Sequence, residues 1–407
     1  MGAVFNIVGR ECSKKIEGQP PLKKIKVTDY TSSVLISSTI IPKELYKDKT
    51  ESNQNKKIQK KISKINESNV FDKYIQICIL GQSNFSIVYK VKNKLNNQLR
   101  ALKQIPKENI ENVNDTKNIV FSINILRNLQ HPNLVQLYEF YEDEKNFFLI
   151  YDLCEKVDLE EVLKKKKILC EFLVKFIMFK LLFAVDYLHK QRIIHGDIKI
   201  TNIGFIKKQN QNNNENNETE EEIINIKELI DEISSNNKIK NELLIKNNYE
   251  ELGKKSKAFI NNLIKYDIKL LDCWSQDVFI RNLINNHNSD IMLNISYFSP
   301  ELFNQNITKE RDEWACGVLM FYLINGYMPF DGDSKEELVY EILNKDIDDE
   351  INDLNIGKEC KDLLFKLLNK NPQYRYKAED ALKHEFFQKG IRIQDLMHLD
   401  IKNNNEI

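Results

Sequence analysis

Ile193-Ile194-His195-Gly196-Asp197-Ile198-Lys199-Ile200-Thr201-Asn202 is the stretch that decides how this 407-residue chain is read. It follows a long helix-patterned run ending at Lys190. An Asp, a Lys two residues on and an Asn five residues on set three different polar groups on one compact loop. There a carboxylate can accept a hydroxyl proton, an ammonium can neutralise a phosphoryl group in transfer, and a carboxamide oxygen can hold a metal ion. A solvated turn between a helix and a strand is the plainer reading of the same residues. The neighbours decide against it.

Upstream, Leu80-Gly81-Gln82-Ser83-Asn84-Phe85-Ser86-Ile87-Val88 lies between two β-rich runs. Small residues at Gly81, Ser83 and Ser86 let backbone approach a polyphosphate, and Leu80 and Val88 offer apolar surface to a base. Alone this signal is weak, because a serine-containing hairpin explains it as well. Ala101-Leu102-Lys103 follows, an ammonium inside a buried-strand pattern. A helical pattern through NIVFSINILRNLQ, then His131-Pro132-Asn133 and two further strands, completes a small sheet-rich unit. Beyond Asp158 the pattern is helical, with a low-complexity Asn/Glu run and a charged stretch between 207 and 265. That segment reads as a solvated insertion without a continuous apolar face.

In order and spacing these motifs resemble the eukaryotic protein kinase family over about residues 74–387, the insertion apart. Lys199, His131-Pro132-Asn133, Tyr187-Leu188-His189 and Gly326-Tyr327-Met328-Pro329-Phe330 resemble its serine/threonine, calcium/calmodulin-dependent (CAMK/CDPK-like) branch. Ser299-Pro300-Glu301, Asp312-Glu313-Trp314-Ala315-Cys316-Gly317 and Arg375, the implied partner of Glu301, add to it. The resemblance implies an α+β bilobal fold: a small antiparallel-sheet N-lobe with one helix, about 71–153, and a mainly helical C-lobe, about 154–387. Residues 1–70 are then a weakly structured extension and 388–407 a tail.

The activity implied is transfer of the γ-phosphoryl group of ATP to protein Ser/Thr hydroxyls, with Mg²⁺. The alternative is a pseudokinase, a nucleotide-binding or scaffolding module with little or no catalysis. Asp197, Lys199 and Asn202 are the implied catalytic residues, and Asn202 and Asp272 the metal ligands. Leu80, Gly81, Ser83, Phe85, Ser86, Val88, Ala101, Lys103 and Asp158 are the implied ATP contacts, with Asp152 and Cys154 offering backbone groups to the adenine. The sequence departs from the family pattern in four places. Ser122 stands at the helix glutamate that normally pairs with Lys103, which leaves Asp272 as that lysine's alternative partner. Cys273 and Trp274 follow Asp272 where the family has Phe and Gly. Gly196 replaces the arginine before Asp197, so control by activation-loop phosphate is not expected, and Asn294 replaces a threonine near the catalytic Asp.

Composition excludes several other classes. Sixty basic residues balance sixty acidic ones, so no global field draws the chain to nucleic acid or an anionic membrane. The seven cysteines contain no C-x-x-C and read as reduced thiols. No run approaches the ~18 apolar residues of a membrane span, and the N-terminus lacks a secretory h-region. A cytoplasmic monomer is expected, with a nuclear or membrane-peripheral address as the alternative. Gly2 and Cys12 mark an incomplete lipid-anchor signal, because Asn6 stands where Ser or Thr belongs. No D-x-D-x-D-G run occurs, so direct calcium sensing by this chain is not expected.

Overall fold

Alternating apolar and polar residues make β1 (Tyr74–Gln82), β2 (Ile87–Asn93) and β3 (Leu99–Pro106) one antiparallel ladder, entered through the short helix α1 (Val70–Lys73). β3 pairs next with β5 (Asn146–Tyr151), which carries β4 (Leu137–Glu142) on its far edge. The sheet order is β1-β2-β3-β5-β4. Its two faces bury separate clusters, one around Val88, Ala101, Leu149 and Tyr151, the other around Tyr74, Val91, Leu102 and Phe148. The computed structural model describes residues 69–83, 86–109, 123, 126–154, 159, 163, 168–208, 226–247, 249–273, 294–304 and 308–396. Phe85, Ser122, Asp158 and Trp274, with residues 1–68, 209–225 and 397–407, lie outside the described residues.

The second lobe is built on α2 (Glu171–Lys190), which is apolar on nearly every face and buried accordingly. After the loop that follows it, β6 (Ile203–Lys207) pairs antiparallel with β7 (Tyr266–Leu270), from Ile203 opposite Leu270 to Lys207 opposite Tyr266. The insertion therefore hangs between two paired strands. It also carries α3 (Ile226–Ser235), α4 (Asn237–Ile245) and α5 (Lys254–Leu263).

These helices correct the expectation of a solvated insertion. Ile226, Leu229, Ile230 and Ile233 recur at helical spacing, and with Ile239, Leu243, Phe259, Ile260 and Leu263 they enter the main core. The Asn, Lys and Glu between them hid one apolar face in a polar composition. The expected tail needs a similar correction, because Ile391, Ile393 and Leu396 are buried in that core. Val70, assigned to the extension, is buried beneath the sheet.

α6 (Pro300–Phe303) and α7 (Glu310–Asn325) come next, followed by α8 (Lys335–Asn344), α9 (Asp348–Asp353), α10 (Lys358–Leu367), α11 (Ala378–Leu382) and α12 (Glu385–Gln388). α7 is the buried post of this lobe. A Cβ at Gly317 would meet Leu368 Cδ2 at 2.9 Å, so only glycine lets this close approach stand. Trp314 stacks on Phe330 with centroids 5.6 Å apart. Arg375 grips Glu301 in a buried bidentate pair at 2.6 and 2.9 Å, the pairing that the sequence resemblance implied. No helix among the described residues is long and apolar enough to cross a membrane.

Candidate active site

The loop between α2 and β6 brings its three polar residues onto one another. Lys199 Nζ donates to Asp197 Oδ1 at 2.7 Å, and Asn202 Nδ2 donates to Asp197 Oδ2 at 2.8 Å and to its backbone carbonyl at 2.7 Å. Lys199 also donates to Asn294 Oδ1 at 2.8 Å. Burial pushes the Asp197 carboxyl up, but the Lys199 ammonium outweighs it and holds the group below the usual carboxylate range. Asp197 is a carboxylate at neutral pH.

The loop is tied down from beneath. Asp312, at the start of α7, accepts the backbone N–H groups of His195 and Gly196, each at 2.8 Å, and His189 Nε2 at 2.9 Å. His189 also meets Glu313 at 3.1 Å. Desolvation would lower the His189 pKa, but the two carboxylates override it and raise it to about 10, so the ring is an imidazolium. Buried His195 goes the other way and stays neutral, its pKa lowered by desolvation. Its Nε2 donates to Leu271 O at 2.9 Å, while Nδ1 accepts the Asp197 N–H at 3.2 Å. Together with the bond from Leu271 N to Asn202 O, this ties the arm bearing Asp272 to the loop.

The opposite wall rises from the sheet. Lys103, opposite Val88 and Leu149 in the ladder, reaches across so that Nζ meets Asp272 Oδ1 at 2.7 Å. Both residues are deeply buried, 3% and 8% exposed, where an ion pair persists only with good geometry. Asp272 has φ 59, a left-handed backbone that Asp and Asn tolerate better than most residues. On the sheet side lies a cleft of ≈ 440 Å³ counted to its open mouth, and Asp197, Lys199 and Asn202 are not among its lining residues.

Seven residues singled out from the sequence line that cleft: Leu80, Val88, Ala101, Lys103, Asp152, Cys154 and Asp272. Gly81 lies in β1 opposite Val88, and Ser83 and Ser86 form the β1–β2 turn, closed by hydrogen bonds between them. The Asp152 N–H is engaged by Gln136 O at 3.3 Å, and its carboxylate takes Gln136 N and Tyr138 Oη. That N–H is therefore not on offer to a base. Four lining residues escaped the sequence reading: Val135, Tyr151, Leu153 and Leu271. Tyr151 and Leu153 flank Asp152 and Leu271 precedes Asp272, while Val135 adjoins none of the residues singled out.

The oxygen donors suit a hard divalent cation. Asn202 Oδ1 is buried and has no hydrogen-bond partner within the protein, and Asp272, which lines the cleft, follows Leu271, whose N–H donates to Asn202 O. A carboxamide and a carboxylate oxygen are what Mg²⁺ takes from a protein when phosphates and waters supply the rest.

A family model described as "Protein kinase domain" matches residues 74–213 and 279–387, more than half of the chain. Calcium-dependent protein kinase 5 of Plasmodium falciparum (isolate 3D7) is 26% identical over 315 residues, 76% of this chain and 44% of its own length. Calcium-dependent protein kinase 3 of Plasmodium berghei (strain Anka) is 27% identical over 330 residues, 79% of this chain and 47% of its own. The chain thus spans about half the length of these curated relatives. The crystal structure of Rad53 1-466 in complex with AMP-PNP shares the fold, with a TM-score of 0.55 at 20% identity, covering 79% of this chain and 67% of that one.

Proposed function

Because the chain belongs to the protein kinase family, we propose that it transfers the γ-phosphoryl group of ATP to serine and threonine hydroxyls of proteins. The observation that carries this is the closed triad of Asp197, Lys199 and Asn202 on one anchored loop. Asp197, ionised and held at both oxygens, accepts the proton of the attacking hydroxyl. Lys199 stands beside it, placed to neutralise charge on the phosphoryl group as it moves. Lys103 on the far wall faces the phosphates of bound ATP. Asn202 and Asp272 would hold Mg²⁺, which when bound with ATP screens the phosphate charge. Specificity for Ser/Thr over Tyr rests on Lys199 two residues after Asp197.

One observation favours the second reading, a nucleotide-binding or scaffolding module. Lys103 engages Asp272 directly, and so competes with the metal for that carboxylate. The test is phosphoamino-acid analysis after incubating the full chain with γ-³²P-ATP and Mg²⁺. Labelled phosphoserine and phosphothreonine that vanish with excess EDTA are expected. Label on tyrosine would overturn the specificity, and no label on the chain or on a basic peptide would favour the module.

A further inference from the structure

The peptide unit joining Gly196 to Asp197 is gripped at both ends. Its carbonyl accepts a hydrogen bond from Arg311 Nη2 at 2.9 Å, and its N–H donates to His195 Nδ1 at 3.2 Å. The preceding unit, between His195 and Gly196, is held by Asp312 through the Gly196 N–H. Arg311 and Asp312 are consecutive residues in the first turn of α7. Two adjacent side chains thus clamp the two adjacent peptide planes that lead into the catalytic carboxylate.

The clamp sits where the loop is weakest. Gly196 has φ 77, in the left-handed region that glycine enters freely, and it has no side chain with which to anchor itself. A glycine there leaves the following carbonyl free to rotate unless something outside the loop fixes it. Arg311 is 6% exposed, so its bond to that carbonyl is sheltered from competing water. A hydrogen bond from a guanidinium is among the stronger ones available, and its charge sits on the same turn as the Asp312 and Glu313 carboxylates.

We propose that Arg311 is a positioning residue for Asp197: it fixes the Gly196 carbonyl, and with it the peptide plane from which the carboxylate projects. The cation missing from position 196 is replaced from the helix beneath the loop. The part concerning catalysis rests on the kinase reading above. The part concerning the loop does not.

The test uses the full chain as wild type, Arg311→Met and Arg311→Lys, with two readouts. In hydrogen–deuterium exchange of the 193–202 segment, Arg311→Met should exchange roughly tenfold faster, with the C-lobe core unchanged. In transfer to a basic peptide, its kcat should fall about ten- to a hundredfold, the effect of misplacing a reacting group by a fraction of an ångström to an ångström, with KM for Mg-ATP within about twofold. Arg311→Lys, whose ammonium can still donate to the carbonyl, should recover most of both. If the methionine variant fails to fold, Arg311→Gln is read by the same exchange criterion. A purely structural role would lower Tm while leaving loop exchange and kcat of the folded protein at wild-type values, and that result overturns the proposal. So does a lysine variant that behaves like the methionine one. A wild type without transfer activity would sink the kinase reading alone, and the exchange result would then decide the clamp.

Discussion

The two walls of the candidate site are built on different principles. The loop from His195 to Asn202 is held by its own members and by one turn of α7, so its polar groups are placed before any ligand arrives. The facing wall relies on Lys103 and Asp272, 169 residues apart in the chain and paired across the gap. One wall is set by several bonds within one lobe and the other by a contact across the gap that a metal must compete with. Several bonds within one lobe preserve chemistry more robustly than a contact made between lobes, because the lobes need not stay in register.

Removing one lysine from each wall is the sharpest way to break that comparison. Lys199→Met strips Asp197 of its nearest cation and should reduce peptide phosphorylation by about 10²–10⁴-fold, the range for a transition-state charge or acid–base contact. Lys103→Met, with that side chain already committed to Asp272, should cost less than about a hundredfold. Initial rates at saturating Mg-ATP, with circular dichroism to confirm folding, decide the order. A larger loss from Lys103→Met would mean that the far wall, not the loop, carries the reaction.

The insertion joins the two walls, since β6 continues from the loop and β7 leads to Asp272. Leu229→Ala removes a fully buried side chain from α3 and should destabilise the protein by about 2–5 kcal/mol, read as a lower denaturant midpoint. An unchanged midpoint would return the insertion to the status of a solvated loop.

A further expected effect, spread over several pH units, concerns the loop's foundation. The folded pKa of His189 is raised to about 10, above the free value of 6.5. The stabilisation it gives is complete below about pH 6.5 and is lost as pH rises towards 10, by up to about 1.4 kcal/mol per pH unit. Between pH 7 and 9, Tm should fall more steeply for wild type than for His189→Gln. Parallel slopes would mean that the ring is neutral in the folded protein.

What was legible in the sequence follows the same division. The loop could be read because its chemistry lies within six residues, and the Arg375–Glu301 pair because both ends carry recognisable motifs. A helical stretch in the insertion was legible but its burial was not, since Ile226, Leu229, Ile230 and Ile233 are diluted by charged and amide neighbours. Tyr151 and Leu271 escaped because the cleft wall exists only once separate strands meet. Arg311 could not be foreseen at all. Its partner carbonyl is 115 residues away and belongs to the backbone, which carries no residue-specific signal.

The most direct test of catalysis by the anchored loop compares wild type with Asp197→Asn, an isosteric change that removes the proton acceptor. Peptide phosphorylation and a thermal-shift titration with Mg-ATP are measured on the same preparations. Transfer should fall at least about a hundredfold in the variant, while Mg-ATP raises Tm in both proteins. Equal transfer by the two proteins, or Mg-ATP binding to wild type with no transfer at all, would contradict a catalytic role for the loop.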